Sequence, residues 1–329
     1  MNILFIGGTG IISTACVEVA LERGWSVTLM NRGLSGPAPA GCQQLVADIR
    51  NPEQVAAVLS GLEFDAVVDW ITFLPSQVET DIELFRGKTG QLVFISSASA
   101  YQTPPKKLPV TEQTPLENPF WAYSRDKIAC EERLREEMAR GFPATIVRPS
   151  HTYSRNRFPF NGGYTCLNRI REGKPVILPG DGTSVWTMTH ARDFAVGLLG
   201  LLGKREALGE AFHITSDELL TWNGIFEILG GHLGREPVLA HLPSSVVMRA
   251  DEELGAGFWG DKAHSMIFDN SKVKNLVPEF KPVIPFAEGS KDITDWYDED
   301  PCRCVVDPAF DALQDRLTDV YARLLASVS

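Results

Sequence analysis

The sequence predicts an α/β fold: a doubly wound parallel sheet, followed by a smaller C-terminal α/β lobe. Short apolar runs rich in β-branched residues alternate with helix-length stretches across the first half, the pattern of buried parallel strands joined by crossover helices. The second half loses that regularity, with Pro and Gly gathering in residues 155–163 and 173–182 and shorter elements following out to Ser329. A chain of 329 residues has room for two such units. We expect the first over residues 1–155 and the second over 156–329, with the chain crossing back near 186–214.

Taken in order, strands are expected over residues 2–6, 26–30, 44–47, 66–70, 91–95 and 144–148. Helices are expected near 12–23, 52–60, 76–86 and 123–140, so most strand-to-strand connections are long enough for a right-handed crossover. Beyond them, 193–202 reads as an apolar helix and 211–214 as a strand. No internal repeat and no low-complexity segment interrupts this pattern.

Composition narrows the class. With 44% hydrophobic and 22% charged residues, disorder, collagen-like repetition and a coiled-coil rod are excluded. The 42 acidic against 31 basic residues give a net charge of −11, which repels phosphate backbones, so a nucleic-acid partner is not expected without a local basic patch. No run of 18 apolar residues occurs and the chain opens directly on a strand, so neither a membrane span nor a cleaved signal is expected. Cysteines 16, 42, 130, 166, 302 and 304 are too scattered for a disulfide framework, which points to the cytoplasm. Cys302 and Cys304 lack a second Cys or His pair at zinc-like spacing, so no metal is expected.

The first strand runs into Gly7, Gly8, Thr9, Gly10, Ile11, Ile12 and Ser13 and then into a helix, the context that a dinucleotide-binding turn requires. Glycines allow close approach of a pyrophosphate, whose charge meets the free N–H groups and positive dipole end of the helix. Ser13 stands where a third glycine would pack helix on strand. The plainer reading is a glycine turn without a ligand. Gly7, Gly10, Ile11 and Ile12 are the candidate contacts. Some twenty residues on, the second strand ends in Asn31 and Arg32 instead of an acidic residue. A guanidinium there can pair with a 2′-phosphate, favouring NADP over NAD, with a solvated arginine beside an NAD site as the alternative.

The fifth strand ends in Ser96, Ser97, Ala98, Ser99, Ala100 and Tyr101, and Tyr123 is followed at i+4 by Lys127. This ordered set resembles the extended short-chain dehydrogenase/reductase superfamily, in its NAD-dependent epimerase/dehydratase branch. It also includes Gly7-x-x-Gly10, Ala47-Asp48-Ile49-Arg50, Arg148-Pro149, and Gly180-Asp-Gly-Thr through His190 and Asp193. The resemblance implies a Rossmann sheet, a homodimer and nicotinamide chemistry on a small-molecule substrate. It implies Tyr123 as proton donor or acceptor, Lys127 as the ammonium that depresses the Tyr123 pKa and holds the nicotinamide ribose, and Ser97 as the hydroxyl that aligns the substrate oxygen. Asp48 and Ile49 would meet the adenine, although Asp48 could instead cap the helix starting near Pro52. Taken alone, Tyr123 and Lys127 could be an ordinary amphipathic pair.

Departures from the family pattern bear on the substrate. Ala98 and Ser99 follow Ser97 where the 4,6-dehydratases carry an Asp-Glu pair, which argues against that elimination. Trp186 stands where the epimerases place an Arg on the nucleotide diphosphate. His151 replaces the family's Asn after Arg148-Pro149; it faces the substrate or is a hydrogen-bonded structural histidine. Ser99, His151, Trp186 and Arg155 are therefore the candidate substrate contacts, and Arg155, Arg157, Arg169 and Arg171 form either a substitute anion clamp or a solvated basic face. The expected function is that of an NAD(P)-dependent oxidoreductase or epimerase acting at a hydroxyl or carbonyl carbon of a sugar-like or other polar substrate. The rival is RNA binding on an epimerase-like fold, as in the related chloroplast RNA-binding proteins, which would not require Ser97, Tyr123 and Lys127 together.

Overall fold

Strands β1 (Asn2–Ile6), β2 (Ser26–Asn31), β3 (Cys42–Val46), β4 (Ala66–Asp69), β5 (Leu92–Ile95) and β6 (Ala144–Pro149) all run parallel in one sheet. The computed structural model describes residues 1–34 and 37–328. Later strands are β7 (His151–Tyr153), β8 (Val176–Pro179), β9 (Val185–Trp186), β10 (Met188–His190), β11 (Ala211–Ile214), β12 (Leu220–Thr221) and β13 (Leu239–Leu242). Of these, β11 returns to the main sheet as its seventh strand, giving the order β11-β6-β5-β4-β1-β2-β3. Every residue of β4, β5 and β6 is buried, which is why β5 reads as an unbroken apolar run and β4 and β6 as largely apolar ones.

Helices cover both faces. α1 (Ile11–Glu22) shares one apolar core with α6 (Ala191–Leu201), through residues such as Val17, Val19, Phe194 and Leu198. On the other face α2 (Pro52–Val58), α3 (Pro75–Phe85) and α4 (Ala122–Ala139) contribute Val55, Ile82, Phe85, Cys130 and Leu134. Residues 191–214 thus belong to the layers of the main sheet. The third core lies in the second half, where β8 pairs with β13 and is packed by α5 (Tyr164–Glu172), α7 (Trp222–His232) and the helix Pro308–Val328. Two short pairings, β7 with β10 and β9 with β12, lead from the sheet into that core.

Among the strands the largest boundary difference concerns β3, which starts at Cys42 and not at residue 44. It is one of the sheet's two edge strands and only partly buried, so Gln43 and Gln44 are tolerated in it and the apolar pattern starts late. Among the described residues no helix is long and apolar enough to cross a membrane, and no group of three or more His, Cys, Asp or Glu could hold a metal ion.

Candidate active site

The carboxyl ends of β1, β5 and β6 open onto a cleft of about 820 Å³, the position at which doubly wound sheets bind ligands. Its cofactor end begins at the turn after β1. Gly7 and Gly8 have φ of +98° and +79°, and a Cβ on Gly8 would come within 2.7 Å of Leu29 Cδ2, so the turn requires glycine. Ser13 accepts a hydrogen bond from the Gly10 amide at 2.8 Å. Its small side chain is fully buried, which is how it serves where a third glycine was expected. Gly10, Ile11 and Ile12 line the cleft with the first turn of α1, which carries no acidic residue. The turn therefore fits a pyrophosphate: orphan helix N–H groups, a positive dipole end and no opposing charge.

Asn31 ends β2, and its side-chain oxygen accepts from the Gly33 amide and from Gln44 Nε2 at 2.8 and 3.1 Å. Arg32 follows it, exposed. Just past β3, Asp48 accepts from the Arg50 amide at 3.0 Å, while Asn51, and not Asp48, caps α2 by accepting from the Gln54 amide. Ile49 lies beside it and lines a second, smaller cavity. These residues are brought to the β2 and β3 strand ends, outside the lining of the main cleft.

Ser97, Tyr123 and Lys127 meet on one wall of that cleft. Ser97 leaves β5 in extended conformation, and its hydroxyl lies 2.9 Å from that of Ser99, which accepts from Ser124 Oγ at 2.8 Å. Ser99 is buried behind Ser97, at 1% exposure, and so holds Ser97 more than it faces a substrate. The Tyr123 ring packs on Trp121 and Phe73, at 4.7 and 6.4 Å between centroids. Burial pushes its phenol up to about 12, the Ser97 hydrogen bond pulls the other way, and the Asp261 and Cys130 charges add to the rise. The Lys127 ammonium is buried, donates to the carbonyls of Thr72 and Ile95 at 2.6 and 2.7 Å, and is pulled down to about 8 by burial. The expected depression of the Tyr123 pKa by Lys127 is thus replaced by a rise, with Lys127 not among its causes. Burial dominates, and the ammonium is tied to backbone oxygens.

A second part of the wall comes from the second half of the chain. A π-helical turn, Phe258–Lys262, presents Asp261 and Lys262 to the cleft, an irregularity that recurs at functional sites. Asp261 Oδ2 lies 2.8 Å from Lys262 Nζ and 3.2 Å from His151 Nε2, and despite burial these two neighbours hold its carboxyl well below the usual range. His151 is wedged edge-on against Trp186 and Trp222 at 4.9 and 5.2 Å. Asn118 fastens this turn to the strand end: its amide donates to Ser99 O at 2.8 Å and to Gly260 O at 2.7 Å. Gly260 is required there, since a Cβ would sit 2.8 Å from Trp121 Cβ.

Several expected contacts require correction. Trp186 lines the cleft at only 2% exposure, with its indole N–H donated to His264 O at 2.9 Å, so it is a packed back wall with no donor to spare. Arg155 is exposed and stands outside the cleft lining. Arg169 is buried against Asp311 and Asp315, and Arg171 pairs with Asp298, so both fasten the C-terminal segment. Of the four arginines only Arg157 lines the cleft. Asp261, Lys262 and Asn118 were not among the expected residues. Their only sequence signals are the Gly- and aromatic-rich run over 255–260 and the Asn-Pro step before α4.

Comparison with known proteins agrees with this geometry. Residues 3–215 match the NAD dependent epimerase/dehydratase family. The chain is 27% identical over 289 residues to the 2'-dehydrokanamycin reductase of Streptomyces kanamyceticus, covering 85% of this chain and 80% of that protein. It is also 27% identical over 256 residues to the chloroplast stem-loop binding protein of 41 kDa b of Arabidopsis thaliana, covering 73% of this chain and 65% of that one. Among solved structures it is similar in fold to the UDP-glucose 4-epimerase of Thermotoga maritima with UDP-glucose, at a TM-score of 0.74 and 22% identity over 91% of this chain and 99% of that one. The UDP-glucuronic acid 4-epimerase of Bacillus cereus, in complex with UDP-glucuronic acid and NAD, gives 0.73 and 19% over the same shares. With the glycine turn, the seven-stranded parallel sheet and a match across most of that sheet, the chain belongs to the NAD dependent epimerase/dehydratase family and is an NAD-dependent enzyme of the extended short-chain dehydrogenase/reductase type.

Proposed function

We propose that the chain is a nicotinamide-dependent reductase of a ketone on a sugar-like ring that carries no nucleotide diphosphate. The observation that carries this reading is the convergence of Ser97, Tyr123 and Lys127 with the first turn of α1 in one cleft. A bound nicotinamide supplies hydride. Gly10, Ile11 and Ile12 hold its pyrophosphate, and Lys127 its ribose. Tyr123, kept neutral by burial, gives its phenolic proton to the oxygen of the carbonyl being reduced, while Ser97 fixes that oxygen in line. A phenol protonated throughout the neutral range suits proton donation, hence reduction. Asp261, Lys262 and His151 offer one acceptor and a cationic donor on the wall from the second half of the chain, a pattern that fits neighbouring hydroxyls of a ring.

The same wall argues against a diphosphate. Trp186 has no free donor, Arg169 and Arg171 are committed elsewhere, and Arg157 alone lines the cleft. The named activity of the Streptomyces relative, reduction of a dehydro sugar compound, supports this reading. The stem-loop-binding relative supports RNA binding as a second one. Against it stand the net charge of −11 and the convergent Tyr123, Lys127 and Ser97. The discriminating assay follows nicotinamide absorbance with phosphate-free keto sugars and with UDP- and GDP-sugars. Turnover is expected with the former, and efficient epimerisation of a UDP-sugar would overturn the assignment.

The cofactor reading favours NADP, because Arg32 stands exposed at the end of β2 where a 2′-phosphate would lie. Fluorescence titration should give tighter binding of NADPH than of NADH, with Arg32→Ala weakening NADPH by roughly 10-fold and NADH little, as loss of one charge-assisted contact implies. A wild-type preference for NADH would reverse this assignment, leaving Asn31 as the ribose contact.

A further inference from the structure

Behind Lys127 lie two carboxyl groups that the reaction does not use. Asp69 ends β4 and Asp81 lies in α3, at 1% and 2% exposure, and the two side chains come within hydrogen-bonding range of each other. Two buried carboxylates in contact cannot both be ionised, so the pair holds a proton. The hydrogen bonds assign it. Asp69 Oδ1 accepts two backbone amides, from Ile71 at 2.6 Å and Thr72 at 2.9 Å, which favours its charged form. Asp81 accepts from the Thr72 hydroxyl at 3.0 Å, and among the described residues neither Asp69 Oδ2 nor Asp81 Oδ1 has an N–H or O–H donor. Burial raises both groups, Asp81 further, with the Asp69 charge adding to its rise.

Thr72 joins this pair to the site, because its carbonyl is one of the two that accept from the Lys127 ammonium. The groups facing Lys127 are few. Phe73 and Phe94 present ring faces at 4.5 and 4.9 Å, the Tyr123 ring lies 5.9 Å away, and Cys130, Glu131 and Asp69 act through their charge. Burial keeps the Cys130 thiol protonated, pushed up to about 12. Glu131 is spent on Arg148, at 2.5 and 2.8 Å. Among the described residues this leaves Asp69 as the anion for Lys127.

We propose that Asp69 and Asp81 form a carboxylate–carboxylic acid pair in which Asp81 carries the proton and ionised Asp69 is the buried counter-charge of Lys127, so that both act as positioning residues for its ammonium. Lys127's role rests on the function proposed above, but its charge state does not. Asp81 also lines the second cavity, of about 270 Å³, with Ser76, Gln77 and Thr80, which gives the acid proton a route of exchange that avoids the cleft.

The two positions should respond differently to the same isosteric change. Asparagine at 81 mimics the protonated acid, whereas asparagine at 69 removes the charge. In lysine-labelled protein, the Lys127 side-chain carbon resonance, assigned with Lys127→Met, is titrated in wild type, Asp69→Asn and Asp81→Asn. The midpoint is expected to fall by about one unit in Asp69→Asn and to stay within about 0.3 units in Asp81→Asn. An unchanged midpoint in Asp69→Asn, or equal shifts in both, overturns the proposal. Should Asp69→Asn not fold, the infrared carbonyl band of a buried protonated carboxyl decides. It should persist in wild type at neutral pH and vanish in Asp81→Asn, and its absence from wild type overturns the pair. Neither readout needs a substrate, so failure here is separable from failure of the reductase reading, which turnover tests.

Discussion

Tyr123→Phe should lower turnover by roughly 10²-fold or more while leaving the dissociation constant for nicotinamide cofactor within about twofold of wild type. The substitution removes only the hydroxyl. The ring is held by Trp121 and Phe73 through contacts that Phe preserves, so the loss reports the proton and not the packing. The pH profile supplies a second check. With the phenol pushed up to about 12, Tyr123 remains protonated and able to donate through the neutral range. The ammonium of Lys127, pulled down to about 8, is charged below that pH and lost above it, so wild-type reduction should hold at neutral pH and decline as pH rises past about 8. Lys127→Ala should injure cofactor binding and turnover together. Near-normal turnover of purified Tyr123→Phe on any keto sugar that wild type reduces would remove Tyr123 from the chemistry.

The elements that sequence conveyed best are those whose pattern comes from burial on both sides. β1 was legible to the residue, and β4 to β6 to within one residue at each end, because an interior parallel strand is largely apolar along its length; β11, although an edge strand, was legible to the residue because its four residues are all buried. The edge strand β3 was read late for the converse reason. In the site, Gly7, Gly8 and the helix start are imposed by local backbone geometry and so are visible in a short window. Asp261 and Lys262 are not. They reach the cleft because Asn118, which ties a π-helical turn to Ser99, bonds Gly260 of that turn across 142 positions of sequence, a tertiary relation with no local periodicity. The four arginines mislead in the same way. Composition offers them all as anion ligands, yet the acidic face of the C-terminal helix, through Asp311 and Asp315, takes Arg169. Asp69 likewise looks like an ordinary strand-end acid until Asp81 is seen against it.

Glu131→Ala should cost about 3–5 kcal/mol of stability, because it strips a buried cation of its counter-ion. Arg148, at 1% exposure, forms two bonds to Glu131, at 2.8 Å through Nε and 2.5 Å through Nη2, and Glu131 is itself fully buried and also accepts from Ser96 Oγ at 2.6 Å. Tyr101 covers the other side, its ring 4.7 Å from the guanidinium. The pair links α4, which carries Tyr123 and Lys127, to the ends of β5 and β6. Its loss should therefore loosen the catalytic helix as well as the fold. In thermal unfolding the variant should melt on the order of 10 °C below wild type. The double variant Glu131→Ala, Arg148→Met should recover most of that loss, since the penalty lies in the unpaired charge and not in the missing attraction. A Glu131→Ala protein within about 1 kcal/mol of wild type would mean that water or a rearranged acid reaches Arg148, and the α4-to-sheet linkage would then rest on the Lys127 bond to the Ile95 carbonyl and on apolar packing through Cys130 and Leu134.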